Sequence, residues 1–116
     1  MININDAKRK RHSEEGIGYI PVFNNGIFSI SHVFLGPKES VPLHKHQKTH
    51  HIYFAEKGDI TLVIDGKQSI LREKSYIEIQ PGKAHKVTNN GIGEAQFITF
   101  EMPPDDEDIE MIEEQK

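Results

Sequence analysis

The residue pairs Asn-Gly and Asp-Gly divide this chain into short segments and constrain its fold more than any other feature. They occur at Asn25-Gly26, Asp65-Gly66 and Asn90-Gly91, each between two short runs that contain alternating or clustered apolar residues. Such pairs tolerate the positive φ angles of tight turns between antiparallel strands. No segment before residue 104 has a helical period. About eight or nine short strands are therefore predicted.

The runs between these turns have the pattern of strands packed around one core. Tyr76–Gln80 alternates with period two, whereas Ile60–Ile64 is more continuously apolar. A length of 116 residues is usual for one domain. We predict an all-β fold, a single antiparallel β-barrel or sandwich at residues 16–102. A polar N-terminal arm (residues 1–15) and an acidic C-terminal tail (residues 103–116) flank it, and the tail could form a short helix or be disordered.

Composition excludes several classes of function. The chain has no cysteine, which excludes disulfides, thiolate metal sites and cysteine nucleophiles. It has no long apolar stretch and no signal-peptide pattern, so we expect a cytoplasmic protein that does not enter a membrane. The net charge of −4 argues against nucleic acid as a partner. The basic run Lys8–Arg11 is interpreted as a solvated terminus, with a nucleic-acid-binding arm as the weaker alternative.

Histidines are concentrated in one short segment. Seven of the 116 residues are histidine, and His44, His46, His50 and His51 fall within eight positions. On a strand, His44 and His46 point to the same side, as two imidazoles that share one metal ion must. His50 and His51 are adjacent and face opposite sides, so only one of them can join the pair. A run of surface histidines and a pH-sensing cluster are the alternatives.

Two motifs occur in order along the chain. The first runs from Gly36 to Gly58 and contains His44-Lys45-His46, and the second runs from Lys74 to Asn89 and contains Pro81-Gly82-Lys83-Ala84-His85. Over roughly residues 28–100 the chain therefore resembles the cupin superfamily. The resemblance implies a double-stranded β-helix of the jelly-roll type. It also implies that one divalent metal ion is held by His44, His46, His51 and His85.

The chain departs from the family pattern at several positions. Counting back six intervening residues from Gly58 places His51 where the family usually has a glutamate ligand, and His50 stays open as the alternative. Lys74 stands where a glycine is common and Gln80 where a proline is common. The gap from Gly36 to His44 is longer than usual.

The ligand set suggests the chemistry of the ion and of its substrate. Imidazole suits transition metals such as Fe, Mn, Zn, Ni or Cu better than it suits Mg or Ca. Four neutral imidazoles leave the full charge of +2 on the ion, which favours a small anionic substrate or ligand. Tyr53 lies on the same side of its strand as His51 and could line the pocket.

The resemblance implies a dioxygenase first, because all-histidine sites in cupins resemble those of Fe(II) oxygenases. A metal-dependent sugar isomerase or epimerase and a non-catalytic ligand-binding domain are the alternatives, since fold alone does not choose between them. Exposed edge strands and the family's habit of pairing its barrels predict a homodimer.

Overall fold

The computed structural model describes residue 1, residues 3–11 and residues 17–114, and within these residues it contains eleven β strands and no helix. No helix in this part of the chain is long and apolar enough to cross a membrane. In chain order the strands are β1 Lys10–Arg11, β2 Gly18–Asn24, β3 Ser29–Leu35, β4 Ser40–Lys45, β5 His50–Lys57, β6 Ile60–Ile64, β7 Lys67–Leu71, β8 Tyr76–Ile79, β9 His85–Thr88, β10 Ala95–Met102 and β11 Glu110–Met111.

The strands form two antiparallel sheets. One sheet has the order β1-β2-β3-β10-β5-β8 and the other has the order β11-β4-β9-β6-β7. This arrangement confirms the predicted all-β class and the double-stranded β-helix. Among the described strands, no hydrogen-bonded ladder joins one sheet to the other. The molecule is therefore built from two facing sheets rather than from one continuously bonded barrel.

Two of the three predicted turns close hairpins. Asp65 and Gly66 have φ angles of 48° and 80° and join β6 to β7, as the positive-φ argument requires. The turn around Asn25 joins β2 to β3, and the Asn25 side chain accepts hydrogen bonds from the backbone there. The third segment, Asn89–Gly91, instead connects β9 in one sheet to β10 in the other. Its Asn-Gly pair marks a turn but not a hairpin.

The core lies between the two sheets. Leu35, Leu62, Val87 and Phe97 are at most 1% exposed, and alternate residues of β5, β9 and β10 point inward with them. Burial of such apolar side chains contributes roughly 1.5–3 kcal/mol each. The same inward row of β5 continues from the core to His51 at one end of the molecule, so the packing of the sheets decides where that ring points.

Both ends of the described chain pack on the sheets. Arg9 stacks on the Phe34 ring with its guanidinium carbon 3.6 Å from the ring centroid, and it forms an ion pair with Glu94. In the C-terminal tail the structure has a strand, β11, where we considered a short helix or disorder. β11 pairs with β4. The predicted boundary at residues 15 and 16 lies outside the described residues.

Candidate metal site

Three of the predicted ligands converge at one end of the sandwich. His44 and His85 are direct partners across the β4–β9 pair, and their ring centroids are 4.2 Å apart. His46 follows the end of β4 on the same side as His44, and the centroids of these two rings are 5.1 Å apart. Each of the three residues offers a ligand atom, and these atoms lie within 4.8 Å of one another. Three buried histidines can therefore hold one metal ion.

Backbone carbonyls set the orientation of these three rings. The Nδ1 atoms of His44 and His85 lie 2.7 Å from the carbonyl oxygen of Pro42 and 2.9 Å from that of Lys83. Nδ1 of His46 is hydrogen-bonded to the carbonyl oxygen of Asp108. A carbonyl oxygen only accepts, so each Nδ1 must carry the proton. In the neutral ring Nε2 is then an unprotonated lone-pair donor, which is the form that binds a metal.

Three buried nitrogen atoms of the clustered histidines have no hydrogen-bond partner. Among the described residues, the buried side-chain nitrogen or oxygen atoms without a hydrogen bond are Nε2 of His46, His51 and His85. Buried polar atoms are nearly always satisfied, and a cluster of exceptions needs an explanation. A metal ion held by His44, His46 and His85 would satisfy the Nε2 atoms of His46 and His85. The residues present therefore fit the metal that the sequence pattern implies.

The His51 ring lies beside this group but is held differently. Its centroid is 4.4 Å from that of His46, and its Nδ1 lies 3.3 Å from the hydroxyl of Tyr53. A hydroxyl can donate or accept, so Tyr53 does not fix the tautomer of His51 as a carbonyl would. Nε2 of His51 also lies 3.7 Å from a carboxylate oxygen of Glu101.

The alternative ligand, His50, faces away from the cluster. Its side chain is 44% exposed, against 5% for that of His51, and its Nδ1 lies 3.3 Å from Glu78. This follows from the alternation along β5, which turns neighbouring side chains to opposite faces. Of the two adjacent histidines, the structure brings only His51 to the other rings.

Burial disfavours the charged form of three of the clustered histidines, His44, His51 and His85. The pKa of His44 is lowered, mainly because burial penalises the charged ring, although the hydrogen bond to Pro42 opposes this effect. Burial also lowers the pKa of His85 to about 4 and that of His51 to about 2, and the neighbouring histidines add to both shifts. Burial raises the pKa of the Tyr53 hydroxyl, and Glu101 contributes to this shift. At neutral pH the rings of His44, His51 and His85 are therefore neutral, and the Tyr53 hydroxyl keeps its proton.

Two acidic residues near the histidines were not identified as site residues from the sequence. Glu101 continues the inward row of β10, but its pairing with His51 depends on strand register, which a single sequence does not reveal. Asp108 is one of several acidic residues in the C-terminal tail, so its residue type does not distinguish it from its neighbours. No spacing signal distinguishes either residue. Asn89, the last residue of the second motif, donates hydrogen bonds of 2.8 Å to the carbonyls of Leu35 and Gly93 at the other end of the sandwich.

Comparison with known proteins agrees with the fold and the motifs. The family model described as Cupin domain matches residues 31–101. The chain belongs to the cupin family. A curated relative, a mannose-1-phosphate guanylyltransferase of Sinorhizobium fredii, is 30% identical over 74 residues, which are 64% of this chain and 14% of that protein. This cupin thus spans only a small part of the length of that relative.

Solved structures share the fold at low sequence identity. KdgF from a Halomonas species superposes with a TM-score of 0.82 at 14% identity, covering 90% of this chain and 94% of that one. A predicted oxalate decarboxylase from Thermotoga maritima gives 0.82 at 18% identity, with 90% and 99% covered. A sugar phosphate isomerase from Silicibacter pomeroyi gives 0.74 at 16% identity, with 90% and 76% covered. At these identities the likeness establishes the fold alone.

Proposed function

We propose that this cupin binds one divalent transition metal ion through His44, His46 and His85, with His51 as the fourth ligand. The observation that carries the proposal is that ligand atoms of His44, His46 and His85 lie within 4.8 Å of one another, while buried Nε2 atoms in the cluster have no hydrogen-bond partner. Keeping such atoms unsatisfied is costly, at about 1–3 kcal/mol each, unless a ligand satisfies them. Imidazole ligands favour Fe, Mn, Zn, Ni or Cu over Mg and Ca.

The charge of the site selects a small anionic substrate. Histidine binds a metal ion as the neutral imidazole, so the proposed ligands cancel none of the charge of a divalent ion. A molecule with two oxygen atoms and a negative charge, such as a carboxylate or an enolate, complements that charge. The names of the relatives, which include an oxalate decarboxylase and a sugar phosphate isomerase, are consistent with small oxygen-rich substrates.

We place a dioxygenase first among the reactions. A bound Fe(II) ion would supply the redox chemistry that oxygen requires. The protein would hold the ion with its imidazole rings and would exclude bulk water by burying them. It would also keep a protonated phenol, that of Tyr53, beside the ligand His51. Burial raises the pKa of Tyr53, so its hydroxyl remains a hydrogen-bond donor for a bound anion.

A metal-dependent isomerase is the second candidate, favoured by a different observation. Isomerisation through proton transfer needs a group that accepts a proton and returns it. The Glu101 carboxylate lies at the site, 3.7 Å from His51. Burial raises its pKa, with a smaller contribution from Asp106, and this brings the group closer to the range useful for proton transfer. This reaction would require no oxygen.

The test begins with the metal itself. Protein purified from its native host is analysed for metal, and stripped protein is titrated with Fe(II), Zn(II) and Co(II). We expect one ion per chain, near-complete loss of binding in His46→Ala and His85→Ala, and a weaker loss in His51→Ala. His50→Ala is the matched control, because His50 is adjacent to His51 but faces the exterior. Failure of the wild-type protein to bind any of these ions would overturn the proposal.

The reaction is tested separately on loaded protein. Fe(II)-loaded samples are assayed for oxygen consumption with a panel of enolisable carboxylates, and Zn(II)-loaded samples are assayed by NMR for exchange of substrate carbon-bound protons with D₂O. Oxygen uptake that His51→Ala reduces and His50→Ala retains supports the dioxygenase. Proton exchange without oxygen uptake supports the isomerase instead. Tight binding of a carboxylate without either reaction contradicts both enzymatic hypotheses.

A further inference from the structure

The segment of residues 103–112, here termed the C-terminal strap, runs beside the histidine cluster. Near its start, the carbonyl of Pro103 accepts a hydrogen bond of 2.8 Å from the Thr49 hydroxyl. Near its end, the backbone N–H of Ile112 donates to the carbonyl of Leu43 at 3.0 Å, and β11 pairs with His44 and Lys45. The strap is thereby attached on both sides of the connection between β4 and β5.

Asp108 lies in the middle of the strap and binds that connection through its carboxylate. One oxygen accepts the backbone N–H of Gln47 at 2.9 Å, and the other accepts those of Lys48 at 2.8 Å and Thr49 at 3.1 Å. The Thr49 hydroxyl lies 3.2 Å from the second oxygen. Thr49 is only 2% exposed, so its groups have little water to replace this partner. The single carboxylate thus accepts hydrogen bonds from three consecutive backbone donors of the connection.

The main chain of the same residue holds a histidine. The carbonyl oxygen of Asp108 accepts a hydrogen bond from Nδ1 of His46. The corresponding carbonyls for His44 and His85 come from residues two positions earlier on the same chain segment, Pro42 and Lys83. His46 therefore depends on a residue 62 positions away in the sequence for its orientation. The carboxylate contacts fix Asp108, and the fixed carbonyl sets the ring.

We propose that Asp108 is a positioning residue of the metal site, which holds the β4–β5 connection and keeps Nε2 of His46 available as a ligand. The inference rests on the proposed metal-binding function. Residues that orient a ligand typically change metal affinity by about 10- to 100-fold when they are substituted. Asp108 itself acts through His46 and is not assigned as a ligand.

The experiment compares Asp108→Ala and Asp108→Asn with Asp59→Ala in the full chain. Asp59 is the matched control, because its carboxylate also accepts a backbone N–H, that of Glu73 at 2.8 Å, but in a loop that adjoins Gly58 at the other end of the sandwich. Tautomers of the histidine rings are read from two-bond ¹⁵N–¹H correlations of metal-free protein. Affinity and the visible spectrum are measured with Co(II).

In wild-type and Asp59→Ala protein we expect His46 to carry its proton on Nδ1. In Asp108→Ala we expect a mixture of tautomers at His46, unchanged signals from His44 and His85, and Co(II) affinity lower by about tenfold or more. We also expect the visible spectrum of bound Co(II) to differ from that of the wild-type protein. Asp108→Asn retains one acceptor oxygen and is expected to be intermediate.

An unchanged tautomer and unchanged affinity in both Asp108 variants would overturn the inference. If Asp108→Ala does not fold, Asp108→Asn decides, since its amide preserves the shape of the side chain. The ¹⁵N–¹H spectra of metal-free protein separate the metal-binding proposal from the positioning role of Asp108. If wild-type protein binds no Co(II), the proposed function fails, while the tautomer of His46 in the variants still shows whether Asp108 positions the ring.

Discussion

Glu101 lies directly opposite His51 across the β5–β10 pair, and one of its carboxylate oxygens is 3.7 Å from Nε2 of His51. The His51 side chain is 5% exposed and that of Glu101 is 30% exposed, so the contact is only partly screened by water. Where other cupins usually have a glutamate ligand, this chain has His51. The negative charge that is missing from the proposed ligand set is instead supplied next to it by Glu101.

Substitution of Glu101 by glutamine tests this role of the charge. Because Glu101→Gln keeps the shape of the side chain and removes its charge, we expect Co(II) and Zn(II) affinity at pH 7.5 to fall several-fold. The metal-free protein should keep its stability or gain some, since the half-buried carboxylate is desolvated. Glu78→Gln is the control, because Glu78 contacts the exposed His50. Equal affinity in wild-type and Glu101→Gln protein would show that the charge does not act on the ion.

Metal removal should lower thermal stability. The unpartnered Nε2 atoms are buried in the folded protein only, so an ion that binds them stabilises the native state by mass action. Zn(II) at about 100 times its Kd contributes roughly 2.7 kcal/mol. For a domain of this size that is on the order of 10 °C in Tm, measured by calorimetry. EDTA should reverse the increase and Mg(II) should not produce it, whereas an equal increase in His46→Ala would place the bound ion elsewhere.

The local parts of the fold were predictable, and the pairing of distant segments was not. Asp65-Gly66 forms a hairpin because the conformation of two residues is enough to specify it. Asn90-Gly91 carries the same signal but joins two sheets, because its flanking strands find other partners, β6 and β3, across the molecule. The strand β11 arises in the same way. It forms by pairing with β4, which lies far away in the sequence. The homodimer stays a prediction.

The site could be predicted to the extent that spacing alone defines it. The His44-Lys45-His46 pattern and the position of His85 after Pro81-Gly82 suffice to name the three residues that the structure brings together. The groups that orient them come from elsewhere. The carbonyl of Asp108 reaches His46 through the path of the C-terminal strap, and Glu101 reaches His51 through strand register. Neither contact leaves a periodic or motif signal in one sequence.

Tyr53 gives a prediction about His51. Tyr53→Phe removes the hydroxyl that lies 3.3 Å from Nδ1 of His51 and leaves that buried nitrogen without a partner. We expect the free energy of unfolding to fall by about 1–3 kcal/mol and metal affinity to fall with it. Denaturant unfolding and Co(II) titration measure the two effects. Tyr76→Phe, at a 75% exposed position in β8 of the same sheet, is the control. Undiminished affinity in Tyr53→Phe would mean that the hydroxyl does not orient His51.

The N-terminal arm gives a prediction about acid stability. Two nitrogens of Arg9 donate to the two carboxylate oxygens of Glu94 at 2.7 and 3.0 Å. The hydrogen bond from Arg9 is the main reason that the pKa of Glu94 is lowered. The folded protein therefore binds this proton less readily than the unfolded chain does. The stabilisation is present above the ordinary glutamate pKa and is lost as the pH falls through the lowered one.

A double-mutant cycle of Arg9→Gln and Glu94→Gln measures this contribution by denaturant unfolding. Because both side chains are about a third exposed or more, we expect a coupling free energy of only about 0.2–1 kcal/mol at pH 7. The coupling should decline toward zero as the pH falls through the lowered pKa of Glu94. Arg9→Gln alone should remain destabilising at low pH, since the stacking of Arg9 on Phe34 does not require an ionised Glu94. A coupling that persists unchanged after NMR shows Glu94 to be protonated would contradict the charge pair as its source.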